Sequence, residues 1–267
     1  MKTRTKTLLF PAKGFLEALE LAKEQHERFL VERTGYTAKI VSEAGSWMFA
    51  DELINPRLFS LLRKLRKEVS SHKLPNIGPE SAVYHNFTPI KLRRELPAKA
   101  WSVDLTSAYL NALLQMDLIT GNLFAELSEL PKGERLRVVG MLATTKTRFQ
   151  YQEGRPVEMS QEISPTRGAF FAACRAVGEL MEEVCQHPAF LFFWVDGAYF
   201  DREVPEVVEY FNRMGYPCKV EQLDKLRWSK NKKFLFYLKD GKEKYLPVPS
   251  PKMPAPAWIE NLLNNPT

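Results

Sequence analysis

Trp101-Ser102-Val103-Asp104-Leu105-Thr106-Ser107-Ala108-Tyr109 is the stretch whose reading decides the fold. Residues Ala100 to Leu105 read as a strand. Thr106 or Ser107 supplies a helix cap, and Ala108 to about Met116 reads as a helix. One carboxylate, Asp104, thus stands where a strand gives way to a helix N-terminus. The free N–H groups of such a first turn, and the positive end of the helix dipole, favour a phosphate. The same aspartate would serve equally as a plain helix cap, so a second element is needed before it carries chemistry.

That element is Phe190-Leu191-Phe192-Phe193-Trp194-Val195-Asp196-Gly197-Ala198-Tyr199-Phe200. Asp-Gly between apolar runs is the strongest short-range hairpin signal, and it predicts a tight turn with Asp196 at or beside its tip. Turn aspartates are common. Here, however, the flanks are aromatic and apolar on both faces, which places the hairpin in the middle of a sheet. A loop carboxylate on so rigid a scaffold points to a site. Two carboxylates brought together can hold divalent metal ions, the minimum needed for phosphoryl transfer on nucleic acid.

Outward from these segments, Leu136 to Gln150 reads as one long strand and Arg167 to Gln186 as a strong helix stopped by Pro188. Pro205 to Met214 is a short helix. Tyr216 to Gln222 and Lys232 to Leu238 are strands, the latter returning through an Asp240-Gly241 turn to Lys244–Val248. The order from Ala100 is strand, helix, strand, helix, hairpin, helix, strands. That is an α+β arrangement, an antiparallel sheet with helices on one face. Upstream, Ser81 to Thr88 reads as a strand, Lys13 to Arg33 as an amphipathic helix and Tyr36 to Val41 as a short strand. Pro56 starts a second helix with Leu58, Leu61, Leu62, Leu65 and Val69 inward. Lys73 to Pro79 reads as a linker. The chain therefore divides into a mainly helical, basic N-terminal region (1–78), a catalytic-type domain (79–248) and a Pro/Asn-rich tail (249–267).

Composition narrows the class. The 267 residues are 45% hydrophobic and 12% aromatic, as in a globular protein. No apolar run approaches the roughly 18 residues of a membrane span. Three scattered cysteines and four histidines argue against a disulfide framework and a structural zinc, and for a reducing, cytoplasmic setting. The net charge of +6 is concentrated in clusters around Arg57–Lys67, Lys91–Lys99 and Lys225–Lys233. Basic clusters punctuated by aromatics suit a polyanion, and a mildly basic protein with solvated faces is the plain alternative.

Asp104-Leu105-Thr106-Ser107-Ala108-Tyr109 resembles the first palm motif of family B DNA polymerases, aspartate-x-x-serine-leucine-tyrosine. Trp194-Val195-Asp196-Gly197-Ala198-Tyr199-Phe200 is similar to that family's aspartate-threonine-aspartate hairpin, with Asp196 on the second aspartate and Trp194 on the first. The helix containing Phe170 to Glu179 resembles the one that enters that hairpin. Lys230-Asn231-Lys232-Lys233-Phe234 resembles the lysine-rich strand that contacts primer–template. The resemblance implies a polymerase-palm-like fold and a nucleotidyltransferase that adds nucleotides to a primer hydroxyl. Asp104 and Asp196 would bind two Mg2+ or Mn2+ ions. Backbone amides of Leu105, Thr106, Ser107 and Ala108 would cradle the phosphates, with Tyr109 under the sugar. Lys230, Lys232 and Lys233 would bind nucleic acid. The partners implied are template–primer DNA, nucleoside triphosphates and a replication or phage protein, in a bacterial host cytoplasm.

This sequence departs from the family in several places. The two aspartates are closer in sequence than the family's spacing. The fingers motif, lysine-x-x-x-asparagine-serine-x-tyrosine-glycine, is absent, and Leu110 replaces the proline after the tyrosine. Lys146, Arg148, Arg167 and Arg175 are the candidate substitutes for the missing triphosphate-binding lysine. The reading is of a reduced palm from a phage or mobile element. Three other readings stay open: an RNase H-like metal-dependent nuclease using Asp196 or Asp201 with Glu179, a catalytically decayed palm that binds nucleic acid, and a purely structural phage or interaction protein. A helix rather than a strand after Asp104 favours the palm over the nuclease.

Overall fold

The structure, a computed structural model, describes residues 7–34, 37–50, 56–74, 77, 97, 99–228 and 234–247. It is α+β and divides into two compact units. The first unit contains residues 1–71 together with 129–167; the second contains 72–128 and 168–267. The division is therefore not the one at residue 78 expected from the linker composition. A segment from the middle of the chain folds with the N-terminal region.

The N-terminal region is not mainly helical. Four strands, β1 (Thr7–Pro11), β2 (Arg28–Arg33), β3 (Thr37–Ser42) and β4 (Gly45–Ala50), surround the helix α1 (Phe15–Gln25) in sequence, and α2 (Pro56–Ser70) follows. The expected helix over Lys13–Arg33 breaks after Gln25. Phe29 and Val31 are buried while their neighbours are not, a period of two that only a strand can satisfy. The segment from the middle of the chain contributes α5 (Lys132–Gly140), β6 (Thr145–Gln152) and β7 (Arg155–Ile163). The long strand expected over Leu136–Gln150 is thus a helix followed by a strand. Its apolar cluster, Val138, Val139, Met141 and Leu142, is too short for periodicity to separate the two states.

These strands form one six-stranded sheet, β1-β4-β3-β2-β6-β7, parallel only between β1 and β4. α1 buries Phe15 and Ala22 against Phe29, Val31, Ile40 and Phe49 of the sheet. α2 packs against α5 through an apolar stripe from Leu58 to Val69, as its sequence period dictates.

In the second unit β5 (Ala100–Leu105) leads into α3 (Ala108–Gln115) and α4 (Gly121–Ser128). α6 runs Arg167–Val184 and enters the hairpin β8 (Phe190–Trp194)–β9 (Gly197–Phe200). α7 (Pro205–Arg213) precedes β10 (Cys218–Leu223). The sheet order is β10-β5-β9-β8, antiparallel throughout, so the strand carrying Asp104 lies at the centre beside the hairpin. Phe192, Phe193 and Phe200 are fully buried in it. A three-stranded antiparallel meander, β11 (Lys225–Trp228), β12 (Phe234–Lys239) and β13 (Lys242–Pro247), completes the unit. Its Asp240-Gly241 turn takes positive φ at both residues, 52° and 69°, as a two-residue Asp-Gly hairpin requires. Among the described residues no helix is long and apolar enough to cross a membrane. The expected strand over Ser81–Thr88 and the tail from residue 249 lie outside the described residues.

Candidate functional site

The register of the four-stranded sheet fixes the site. On β5, Asp104 stands opposite Gly197 of β9 on one side and Lys219 of β10 on the other. Gly197 in turn stands opposite Trp194 of β8. Directly opposed residues of an antiparallel sheet project to the same face. One row across the sheet therefore reads Lys219, Asp104, Gly197, Trp194. Asp196 is the next residue out from this row, and its carbonyl accepts the Leu105 N–H at 2.9 Å. Both aspartates are half-buried and occupy adjacent positions at the same end of the two central strands.

Gly197 has a role that the sequence pattern obscures. Asp-Gly was expected to form the turn, but the two turn residues are Val195 and Asp196, because Gly197 already pairs with Trp194. The glycine instead gives room to the Asp104 carboxylate. A β-carbon at position 197 would lie 3.0 Å from Asp104 Oδ1. The Asp104 side chain therefore reaches over β9, toward the hairpin that carries Asp196.

Both turns that hold the aspartates contain a residue in the left-handed region. Val195 has φ 57°, which a β-branched residue adopts only under constraint. Ser107, between β5 and α3, has φ 55° and ψ 40°. Such strain clusters at sites where geometry matters more than local comfort. The expected cap by Thr106 or Ser107 is not made: Ser107 occupies the N-cap position without a side-chain bond. The turn is held from the other direction, by the buried Asn111, whose Nδ2 donates to Thr106 O at 2.7 Å.

The proposed phosphate cradle is smaller than expected. The Leu105 amide donates to Asp196 O and the Thr106 amide to Pro217 O at 2.7 Å, so neither is available to a ligand. Ser107 and Ala108 remain at the start of α3, whose first N–H groups lack intrahelical partners. Tyr109 is buried, with its ring 6.4 Å from that of Phe170 on α6.

The cations expected to grip the triphosphate have other partners. Lys146 and Arg148 lie on β6 in the first unit. Lys146 is 3.5 Å from Glu32 and 4.0 Å from Glu162, while Arg148 is 2.9 Å and 2.8 Å from the same carboxylates. Burial alone would raise the Glu32 carboxyl, but its bond to Arg148 and the charges of Lys146 and Arg148 outweigh this and lower its pKa. Arg175 of α6 pairs with Glu179 one turn on, at 2.7 Å, on an exposed helix side. Arg167 is the first residue of α6 and groups with the first unit. Lys230, Lys232 and Lys233 lie outside the described residues. Lys219 was not anticipated; only the register, which no local pattern in β10 reveals, places it beside Asp104.

Two carboxylates are a hard-oxygen donor set suited to Mg2+ or Mn2+. Among the described residues no group of three or more His, Cys, Asp or Glu side chains converges. A magnesium ion that takes one or two carboxylates, several waters and substrate phosphates fits such a pair. Burial pushes the Cys174 thiol up to about 12, which disfavours its thiolate.

No family model matches the chain, and it has no match among the curated proteins or the solved structures compared.

Proposed function

We propose that the second unit is a reduced, palm-like nucleotidyltransferase that extends a nucleic-acid primer from nucleoside triphosphates. The observation that carries this reading is the central strand pair, in which Asp104 opposes Gly197 and Leu105 bonds to Asp196. It joins a strand-to-helix aspartate and a hairpin aspartate at one end of an antiparallel sheet, the arrangement the family B resemblance implies. Asp104 and Asp196 would hold the ions, which when bound supply charge neutralisation at the triphosphate and a more acidic primer hydroxyl. Asp104 is positioned by the gap at Gly197, Asp196 by the constrained turn, and Tyr109 by Phe170. Lys219, on the Asp104 row, is a cation on the face that phosphates would approach. The basic clusters suit a polyanion, and DNA is the one the family resemblance implies.

The RNase H-like alternative is disfavoured by α3, which follows β5 directly where that class continues with strands. The decayed palm is favoured by one observation: Lys146, Arg148 and Arg175 are engaged by carboxylates. Primer extension with Mg2+ or Mn2+ decides. Template-dependent extension in the parent, lost in Asp104→Asn and in Asp196→Asn, is the expected result. Equal extension in parent and variants refutes the assignment. Strand cleavage without added nucleotides would transfer the site to a nuclease, and DNA binding with neither activity to a binding protein.

A further inference from the structure

The first unit contains a cavity of about 280 Å3 between α2, the start of β6 and the end of β7. That is just below the range for drug-sized ligand sites, roughly 300–1,000 Å3, and suits a smaller molecule. Arg66 and Ser70 of α2, Lys146 of β6, and Glu162 and Thr166 at the end of β7 and beyond contribute to its wall. The wall is braced internally: Thr166 donates to Leu142 O at 3.1 Å, and Thr144 donates to Met141 O at 2.9 Å. With those hydroxyl protons committed, the donors left to a ligand are mainly the two cations.

The two cations differ in how the described residues balance them. Lys146, Arg148, Glu32 and Glu162 form a network of two cations and two carboxylates that sums to zero. Arg66 stands outside it, with no ion-pair partner among the described residues. Among the described residues its Nη2 alone is used, donating to Met141 O at 2.9 Å and Thr144 Oγ1 at 3.3 Å. Its Nε is buried and has no acceptor. Nearly all buried polar groups in folded proteins are satisfied, so an orphaned guanidinium donor beside a cavity calls for an absent partner. Burial also lowers the Arg66 pKa, the direction a partly desolvated cation without a counter-ion must take.

We propose that this cavity binds a small phosphoryl anion, held by Arg66 with Lys146 beside it. Inorganic phosphate and the phosphate of a mononucleotide share this chemistry. A tetrahedral oxyanion offers several acceptors to the unused N–H groups of Arg66, and the charge-assisted bonds it makes are the strong ones. The site does not depend on nucleotidyl transfer, and neither proposal falls with the other.

Thermal melting and titration calorimetry of the full chain test it, with phosphate, AMP and acetate compared at matched ionic strength. Phosphate or AMP should raise the melting midpoint saturably, acetate should not, and a tighter AMP response would identify the nucleotide as the source. Arg66→Met should weaken binding about tenfold or more, the value of losing a hydrogen bond to a charged group. Should Arg66→Met fail to fold, Lys146→Met decides, because Arg148 still holds Glu32; several-fold weaker binding is expected. A rise no larger than with acetate, or equal binding in parent and variants, overturns the proposal.

Discussion

Gly197→Ala separates a site built around Asp104 from a merely structural hairpin. The added methyl group would sit 3.0 Å from Asp104 Oδ1, 3.6 Å from Trp194 O and 3.8 Å from Tyr199 Cε2. The last two are ordinary contacts. The first is inside the roughly 3.5 Å at which such atoms stop attracting, so the carboxylate must retreat by a few tenths of an ångström. Gly197 lies outside the left-handed region, so alanine strains no backbone there. The chain also loses less conformational entropy on folding with alanine than with glycine, worth about 0.4–1 kcal/mol in its favour. The atom that must yield is the end of the half-buried Asp104 side chain and not backbone, so the net change in stability should stay within about 1 kcal/mol, a midpoint shift of roughly 2–4 °C. Function should change more. Catalytic groups must be held to within about 0.5 Å and a 1 Å misplacement costs on the order of a hundredfold, so a shift of a few tenths of an ångström should cost several-fold. Extension, or Mn2+ affinity measured by calorimetry, should fall several-fold while melting is preserved. Unchanged metal affinity and extension would refute the placement of the Asp104 carboxylate over Gly197. A midpoint loss above about 10 °C would show that the glycine serves packing instead.

Three further outcomes follow from the same contacts. Asn111→Ala removes the bond from Nδ2 to the part-buried Thr106 O that holds the β5–α3 turn, so denaturant unfolding should show a loss of about 1–3 kcal/mol. The Glu32 carboxyl has a pKa below its ordinary 4.5, so the folded state binds its proton less readily than the unfolded chain. Its stabilisation is present above that ordinary value and is lost as pH falls through the lower folded value. Melting of Glu32→Gln between pH 3 and 6 should therefore lack this part of the parent's acid destabilisation. Arg175→Ala breaks an exposed i,i+4 pair with Glu179 and should change stability by no more than about 0.5 kcal/mol. Loss of extension in this variant would return Arg175 to the nucleotide site.

The sequence displays the elements around the aspartates because each is set locally. β5 and α3 are separated by a change of hydrophobic period at Asp104. α6 carries its own apolar stripe, and β8–β9 are two aromatic runs split by a turn pair. The errors lie where a distant partner decides. Arg28–Arg33 continues the helical pattern of α1 well enough by composition, yet β3 and β6 claim it as a strand through Val31 opposite Ile40 and Phe149. Gly197 looks like a turn glycine until Trp194 pairs with it. Lys219 is one of 38 Lys and Arg residues and acquires meaning only from its pairing with Asp104.

The same reasoning bears on the missing fingers motif. A polymerase palm needs a nucleotide grip in addition to its metal-binding aspartates, and the stretch between the two aspartate strands is where sequence reasoning placed Lys146 and Arg148 as substitutes. Residues 129–167 of that stretch instead belong to the first unit, where β6 pairs with β2 and both cations meet Glu32 and Glu162. Within the second unit itself, Lys219 is the cation that the register sets beside Asp104. Lys219→Gln should then raise the KM for nucleotide several-fold with little change in melting, since the side chain is exposed. An unchanged KM would exclude Lys219 from that role.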